Sequence, residues 1–171
     1  MLSLDYVTKG SAEGIAKGGT ERAMPKKHVF LSYCRENQAE VKLLRDDLIA
    51  AGENIWWDQD LLPGQNWALA IEKAMENAYA VILCLSKESE ARVTSGIYPE
   101  ASDAISAYRQ YPPDRIFLIP VLLSDCAVPS IKIDSTRKIK DLHYVKLFPK
   151  AERTEGIAKL LQAIKATPHH P

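Results

Sequence analysis

Charge of neither sign is in excess: 22 lysines and arginines balance 22 aspartates and glutamates, for a formal net charge of zero. The overall field therefore attracts neither nucleic acid nor an anionic membrane, and neither is expected as a partner. Cysteine is scarce. Cys34, Cys84 and Cys126 are an odd number with no CxxC spacing, a pattern that supports neither a disulfide framework nor a zinc site. Cys84 lies within an apolar run and reads as a small core residue. Apolar runs are too short to span a bilayer, and the N-terminus lacks the charged-then-apolar organisation of a signal peptide. Internal repeats and low-complexity tracts are missing too. What remains, 171 residues that are 46% hydrophobic and 26% charged, is expected to form one soluble domain in a reducing cytoplasm.

Residues 1–24 are rich in Gly, Ser, Ala and charge without sustained periodicity, and read as a flexible leader. The domain is expected over 25–167. Residues 168–171 form a short tail whose two histidines do not make a metal site. Strand and helix patterns alternate between these ends. HVFLSY (28–33) is a short apolar run, followed by Val41, Leu44, Leu48 and Ala51 at the spacing of one helix face, with Gly52 as a stop. NIWWD (54–58) reads as a second strand and DLLPGQN as a loop. Trp67, Ile71, Ala74 and Ala78 mark a second helix. AVILCLS (80–86) and RIFLIPVLL (115–123) are strands apolar at nearly every position, as expected when helices cover both faces of a parallel sheet. Between them a helix follows Pro99, carrying Ala101, Ile105 and Tyr108. HYVKL (143–147) is a fifth strand, and Ile157, Leu160, Leu161 and Ile164 mark a final helix. The expected fold is α/β: a three-layer flavodoxin-like domain with a five-stranded parallel sheet in order 2-1-3-4-5, flanked by helices.

In that topology a crevice opens at the carboxyl ends of strands 1 and 3, whose following helices leave to opposite faces. SYCREN (32–37) follows strand 1. Residues 86–98, read as a long polar connection, follow strand 3 and lead to Pro99 and Glu100. Pro99 suits the first helical position. Glu100 would then occupy the first turn, where the positive helix end favours a carboxylate. On position alone, Glu100 is either a dipole-complementing surface residue or a carboxylate presented to a substrate.

KKHVFLSYCREN, NIWWDQDLLPGQNW and AVILCLS, followed by a glutamate opening the next helix, resemble the bacterial branch of the Toll/interleukin-1 receptor (TIR) domains over roughly residues 26–166. FLSYCREN looks like the family's first-strand box, and DQDLLPGQNW like its BB loop with the helix after it. The resemblance implies an NAD⁺ glycohydrolase that cleaves the nicotinamide–ribose bond, giving ADP-ribose or a cyclic isomer. By position it makes Glu100 the catalytic glutamate. NAD⁺ would be the substrate, with no cofactor and no metal. The family often has an aromatic four residues before that glutamate; here Gly96 stands there, and Tyr98 is the nearby aromatic. The resemblance also implies self-association through Leu61, Leu62, Pro63 and Gly64 of the BB-like loop. Activation would come from a separate sensor or activator, a small molecule or self-association, in a bacterial anti-phage or signalling setting. The alternative implied by the same family is a non-catalytic TIR–TIR interaction module. A third reading is a hydrolase or transferase acting on another nucleoside.

Other candidates carry a bland reading beside the functional one. Arg35 suits a diphosphate, or is a solvated loop charge. Ser32 and Ser86, at strand ends, could hydrogen-bond substrate or cap helices. Tyr33 and Trp67 could stack on a base or nicotinamide ring, although Trp67 reads better as a core-facing helix residue. Trp56 and Trp57 are consecutive in a strand and read as packing on opposite layers. The lysine-rich stretch from the 130s to 150 reads as a solvated loop and strand or, failing that, an assembly surface, and His28 and His143 show no ligand spacing.

Overall fold

The two stretches that are apolar at nearly every position become neighbouring strands inside the sheet. In the computed structural model, which describes residues 27–94 and 99–168, β3 (Ala78–Leu85) and β4 (Leu118–Leu122) are buried at every position. β1 (His28–Ser32) lies between β3 and the two-residue β2 (Ile55–Trp56), while the equally short β5 (Val145–Lys146) closes the far edge. The sheet is parallel throughout, in the order β2-β1-β3-β4-β5. Sequence reading gave the same order.

Alternation along the strands divides the core in two. Val29, Leu31, Ile82 and Cys84 face α1 (Gln38–Ala50) and α5 (Arg153–Lys165), which contribute Val41, Leu44, Leu48, Leu160 and Ile164. Phe30, Val81, Leu83 and Leu85 face α2 (Trp67–Glu76) and α4 (Pro99–Tyr108), with Met75, Ala101, Ala104 and Ile105 opposite them. The consecutive tryptophans separate as expected. Trp57 is buried on the α1–α5 side, whereas Trp56 stacks on Phe30 at 4.7 Å on the other. Helix α1 is terminated two residues past its end by Gly52, whose φ of 93° permits the Glu53 amide to reach back to the Leu48 carbonyl at 3.0 Å.

Two local expectations are corrected. The polar connection after β3 is not loop throughout: residues Lys87–Thr94 form a helix, α3. KESEARVT has almost no apolar periodicity, and the helix is set instead by its head. Ser86 Oγ accepts the Ser89 amide at 3.1 Å while Ser89 Oγ accepts the Ser86 amide at 2.8 Å, a reciprocal cap. Ala78, assigned by spacing to the α2 face, is the first residue of β3, because α2 ends at Glu76. Ala51 likewise lies just past the end of α1 and is exposed.

Candidate functional site

At the carboxyl ends of β1 and β2, between α2 and α4, lies a cleft of about 670 Å³. Each wall comes from a different element. The end of β1 and the residue after it supply Ser32 and Tyr33, the 3₁₀ turn that follows supplies Arg35, β2 supplies Trp56, and a second 3₁₀ turn, Asp58–Asp60, supplies Asp58. Helix α2 contributes Trp67, α3 contributes Arg92, and α4 contributes Ser102 and Asp103. The crevice was expected at the ends of strands 1 and 3; instead no residue of β3 lines it, and the helices after β3, α3 and α4, supply that side.

Tyr33 anchors the floor. Its ring is 8% exposed and stacks near Trp57, and its hydroxyl donates to Asp58 Oδ1 at 2.5 Å. Burial, reinforced by the Asp58 carboxylate, pushes the phenol well above its ordinary range, so Tyr33 stays a proton donor. Arg35 is exposed at the cleft and makes no ion pair among the described residues. Arg92 instead forks onto Glu36, with Nη2 at 2.6 and 2.8 Å from the two carboxylate oxygens. That pair ties α3 to the turn after β1. Ser32 is buried at the strand end, in the cleft wall.

Trp67 departs from the core-facing expectation: it is 57% exposed at the head of α2, in the cleft wall. The inward positions of that helix fall to Ala74 and Met75. Ser86 is fully buried and does not line the cleft. Its hydroxyl donates to Asn37 Oδ1 at 2.6 Å and caps α3, so of its two readings the structure displays capping. The thiols show no activation. Burial pushes Cys34 and Cys84 up, and Cys126 is pushed up to about 11, so all three are protonated at neutral pH.

Glu100 falls in the first turn of α4, two residues before the cleft-lining Ser102. Its side chain, like the whole of Tyr98, lies outside the described residues. In the BB-like loop Leu62, Pro63, Gly64 and Gln65 form a turn closed by the Gln65 amide on the Leu62 carbonyl at 3.1 Å, with Gly64 at φ 89°. Proline second and glycine third is what a type II turn demands. Leu62 is left 69% exposed, Leu61 partly buried. Among the described residues no group of three or more His, Cys, Asp or Glu gathers as a metal site would require, and no helix is long and apolar enough to cross a membrane.

Sequence reading passed over Asp58, Arg92 and Ser102, and took Trp56 only as packing. Arg92 sits in a polar helical stretch with no periodic signal, and Ser102 is a polar position beside the apolar face of α4. Asp58 stood inside a quoted motif, and its position directly after a strand at the carboxyl edge was the available clue.

The family model described as TIR domain matches residues 29–161. No curated protein matches the sequence significantly. Among solved structures, the TIR domain of the Toll-related receptor TRR-2 from Hydra magnipapillata is 20% identical, with a TM-score of 0.60 over 80% of this chain and 97% of that one. A metazoan TIR-STING receptor from C. gigas, in complex with 2′,3′-cGAMP, is 23% identical with a TM-score of 0.59. The likeness covers 80% of this chain but only 39% of the receptor. A prokaryotic SEFIR domain is 14% identical with a TM-score of 0.51, over 81% of this chain and 98% of that domain. These structural likenesses share the fold, and the family model spans most of the chain: this protein belongs to the TIR domain family.

Proposed function

We propose that this TIR domain is an NAD⁺ glycohydrolase in which Glu100 is the catalytic carboxylate. The supporting observation is that α4, which carries Glu100 in its first turn, opens onto a cleft with the parts a dinucleotide needs. Trp56 and Trp67 offer aromatic faces, Arg35 offers a diphosphate a guanidinium that makes no ion pair among the described residues, and Tyr33 and Ser32 line the same wall. The bacterial TIR resemblance supplies the reaction.

One carboxylate suffices for that reaction. An ordinary glycosidase must protonate a leaving oxygen and manage a cationic sugar as well. In NAD⁺ the ring nitrogen already carries positive charge. The C1′–N bond breaks with its electron pair going to nitrogen, and neutral nicotinamide leaves. A carboxylate in a partly dry cleft stabilises the oxocarbenium-like ribose. Water then adds at C1′ and loses a proton to give ADP-ribose, or a group of the same molecule adds to give a cyclic isomer. Neither a metal nor a thiolate takes part. In this reading the protein is a cytoplasmic, self-associating effector in anti-phage defence or signalling, answering to a separate sensor or activator.

A second reading, a TIR–TIR scaffold without catalysis, is favoured by one observation. Leu62 stands 69% exposed on a hydrogen-bonded turn, a site suited to docking on a second copy. Incubating concentrated protein with NAD⁺ and quantifying released nicotinamide separates the two. Release supports the glycohydrolase; none, in a protein that self-associates, supports the scaffold.

A further inference from the structure

We propose that Asp58, oriented by Tyr33, is the seat for the vicinal hydroxyls of a ribose, so that the cleft selects ribonucleotides over their 2′-deoxy counterparts. The inference rests on the reading of the cleft as a nucleotide site but concerns a different residue and a different property from cleavage.

Asp58 and Asp60 lie in one 3₁₀ turn, DQD, and are put to different uses. Asp60 Oδ1 accepts from the Trp57 indole at 3.0 Å and from Arg45 at 3.5 Å, away from the cleft. Asp58 lines the cleft. Its Oδ1 accepts the Tyr33 hydroxyl at 2.5 Å and the Gln59 amide at 3.3 Å, while Oδ2 has no donor among the described residues. Asp58 also makes no ion pair among them, although two guanidiniums share the cleft: Arg92 is taken by Glu36, and Arg35 stands unpaired.

A half-buried carboxylate with a spare oxygen calls for hydrogen-bond donors from whatever enters. In a nucleotide, the phosphates only accept, and they suit Arg35. The base is a π-face and suits Trp56 or Trp67. The ribose hydroxyls are the neighbouring donors that remain, and two of them on adjacent carbons match one carboxylate. Tyr33 matters because its ring is fixed by burial and by Trp57, so the hydroxyl that grips Oδ1 is itself immobile. With Oδ1 pinned, the direction of Oδ2 is set before a ligand arrives, which lowers the ordering cost of binding. A cationic amine would also suit Asp58 alone, but it would have to enter beside Arg35.

A dinucleotide offers two riboses, on the adenine and nicotinamide sides, and both present the same chemistry. The test therefore uses four ligands: AMP, 2′-deoxy-AMP, nicotinamide mononucleotide and its 2′-deoxy analogue. Their affinities for the full chain are measured by calorimetry, for wild type, Asp58→Asn and Tyr33→Phe. In at least one pair, wild type should favour the ribonucleotide by about tenfold or more, as expected for hydrogen bonds to a charged acceptor. Asp58→Asn should shrink that ratio below about threefold, and Tyr33→Phe should reduce it part-way. The pair that responds identifies which ribose is seated. Equal affinities within both pairs, no binding of any of the four, or an undiminished ratio in Asp58→Asn would overturn the proposal. The wild-type comparison needs no variant, so a folding defect in either mutant leaves it decisive. Nicotinamide release is a separate readout. A protein that discriminates the pairs but releases no nicotinamide keeps the seat and loses the glycohydrolase reading, and the converse result does the reverse.

Discussion

The Ser86 hydroxyl donates to Asn37 Oδ1 at 2.6 Å, joining the head of α3 to the turn that follows β1. The same oxygen accepts Cys34 Sγ at 2.8 Å, and Asn37 Nδ2 donates to Glu88 at 3.2 Å. Apart from the exposed Glu88, the network is buried between two segments distant in sequence, so Cys34, Asn37 and Ser86 serve each other rather than water. Ser86→Ala removes the α3 cap and leaves Asn37 one donor short. A loss of about 1–3 kcal/mol in unfolding free energy is expected. Urea denaturation of the variant checks this, and an unchanged midpoint would show that the network contributes little.

The Glu36–Arg92 fork lies over that network on the solvent side. Glu36 is held below the usual carboxylate range by its own backbone amide and by the Arg92 guanidinium. A depressed folded-state value means that the stabilisation is fully present above the ordinary carboxylate pKa and fades as pH falls through the lowered one. Glu36→Gln should therefore melt below wild type at pH 7, and the two melting temperatures should converge in strong acid. A gap that persists there would assign the loss to something other than this ionisation.

Gly156, on α5, packs against β5 so closely that an added Cβ would overlap the Lys146 carbonyl and crowd the Leu147 side chain. Helix propensity alone predicts that Gly156→Ala is stabilising by close to 1 kcal/mol. The backbone contact reverses the sign: α5 must shift off β5, at a cost of about 1–3 kcal/mol. Thermal melting decides between these opposite outcomes.

The sheet was legible because burial on both faces leaves an unmistakable record. AVILCLS and RIFLIPVLL have nowhere to go but the middle of a parallel sheet. Helix α3 was not legible, because its side chains are mostly polar and its determinants are the hydrogen bonds of Ser86 and Ser89. Trp67 misled for a related reason. Its spacing with Ile71 and Ala74 fits a buried stripe, but the stripe begins a turn later and Trp67 projects at the cleft mouth. Within the cleft, Tyr33, Arg35 and Ser32 were foreseeable from topology. Asp58 had only its place just after a strand to mark it, and Arg92, in a polar helix without periodicity, had no such mark.

The exposed Leu62 tests assembly. Leu62→Asp should leave the isolated domain within about 0.5 kcal/mol of wild type, as for most surface substitutions. It should reduce self-association, since a contact formed there would bury an unpaired charge. If self-association completes the site, specific activity of wild type will rise with protein concentration and the variant's will not. Light scattering and activity across a concentration series check both. A fully active Leu62→Asp protein, with activity independent of concentration, would confine the loop to a surface role.

The central claim is that Glu100 performs NAD⁺ cleavage, and the direct measurement is nicotinamide release by wild type and Glu100→Gln. Both are assayed at high protein concentration with a crowding agent, with melting temperatures recorded alongside. The substitution removes charge while nearly preserving shape. Wild type should release nicotinamide, and the variant should do so at least about 100-fold more slowly with its melting temperature unchanged. Equal release by a well-folded Glu100→Gln protein, or none by wild type, would contradict the claim.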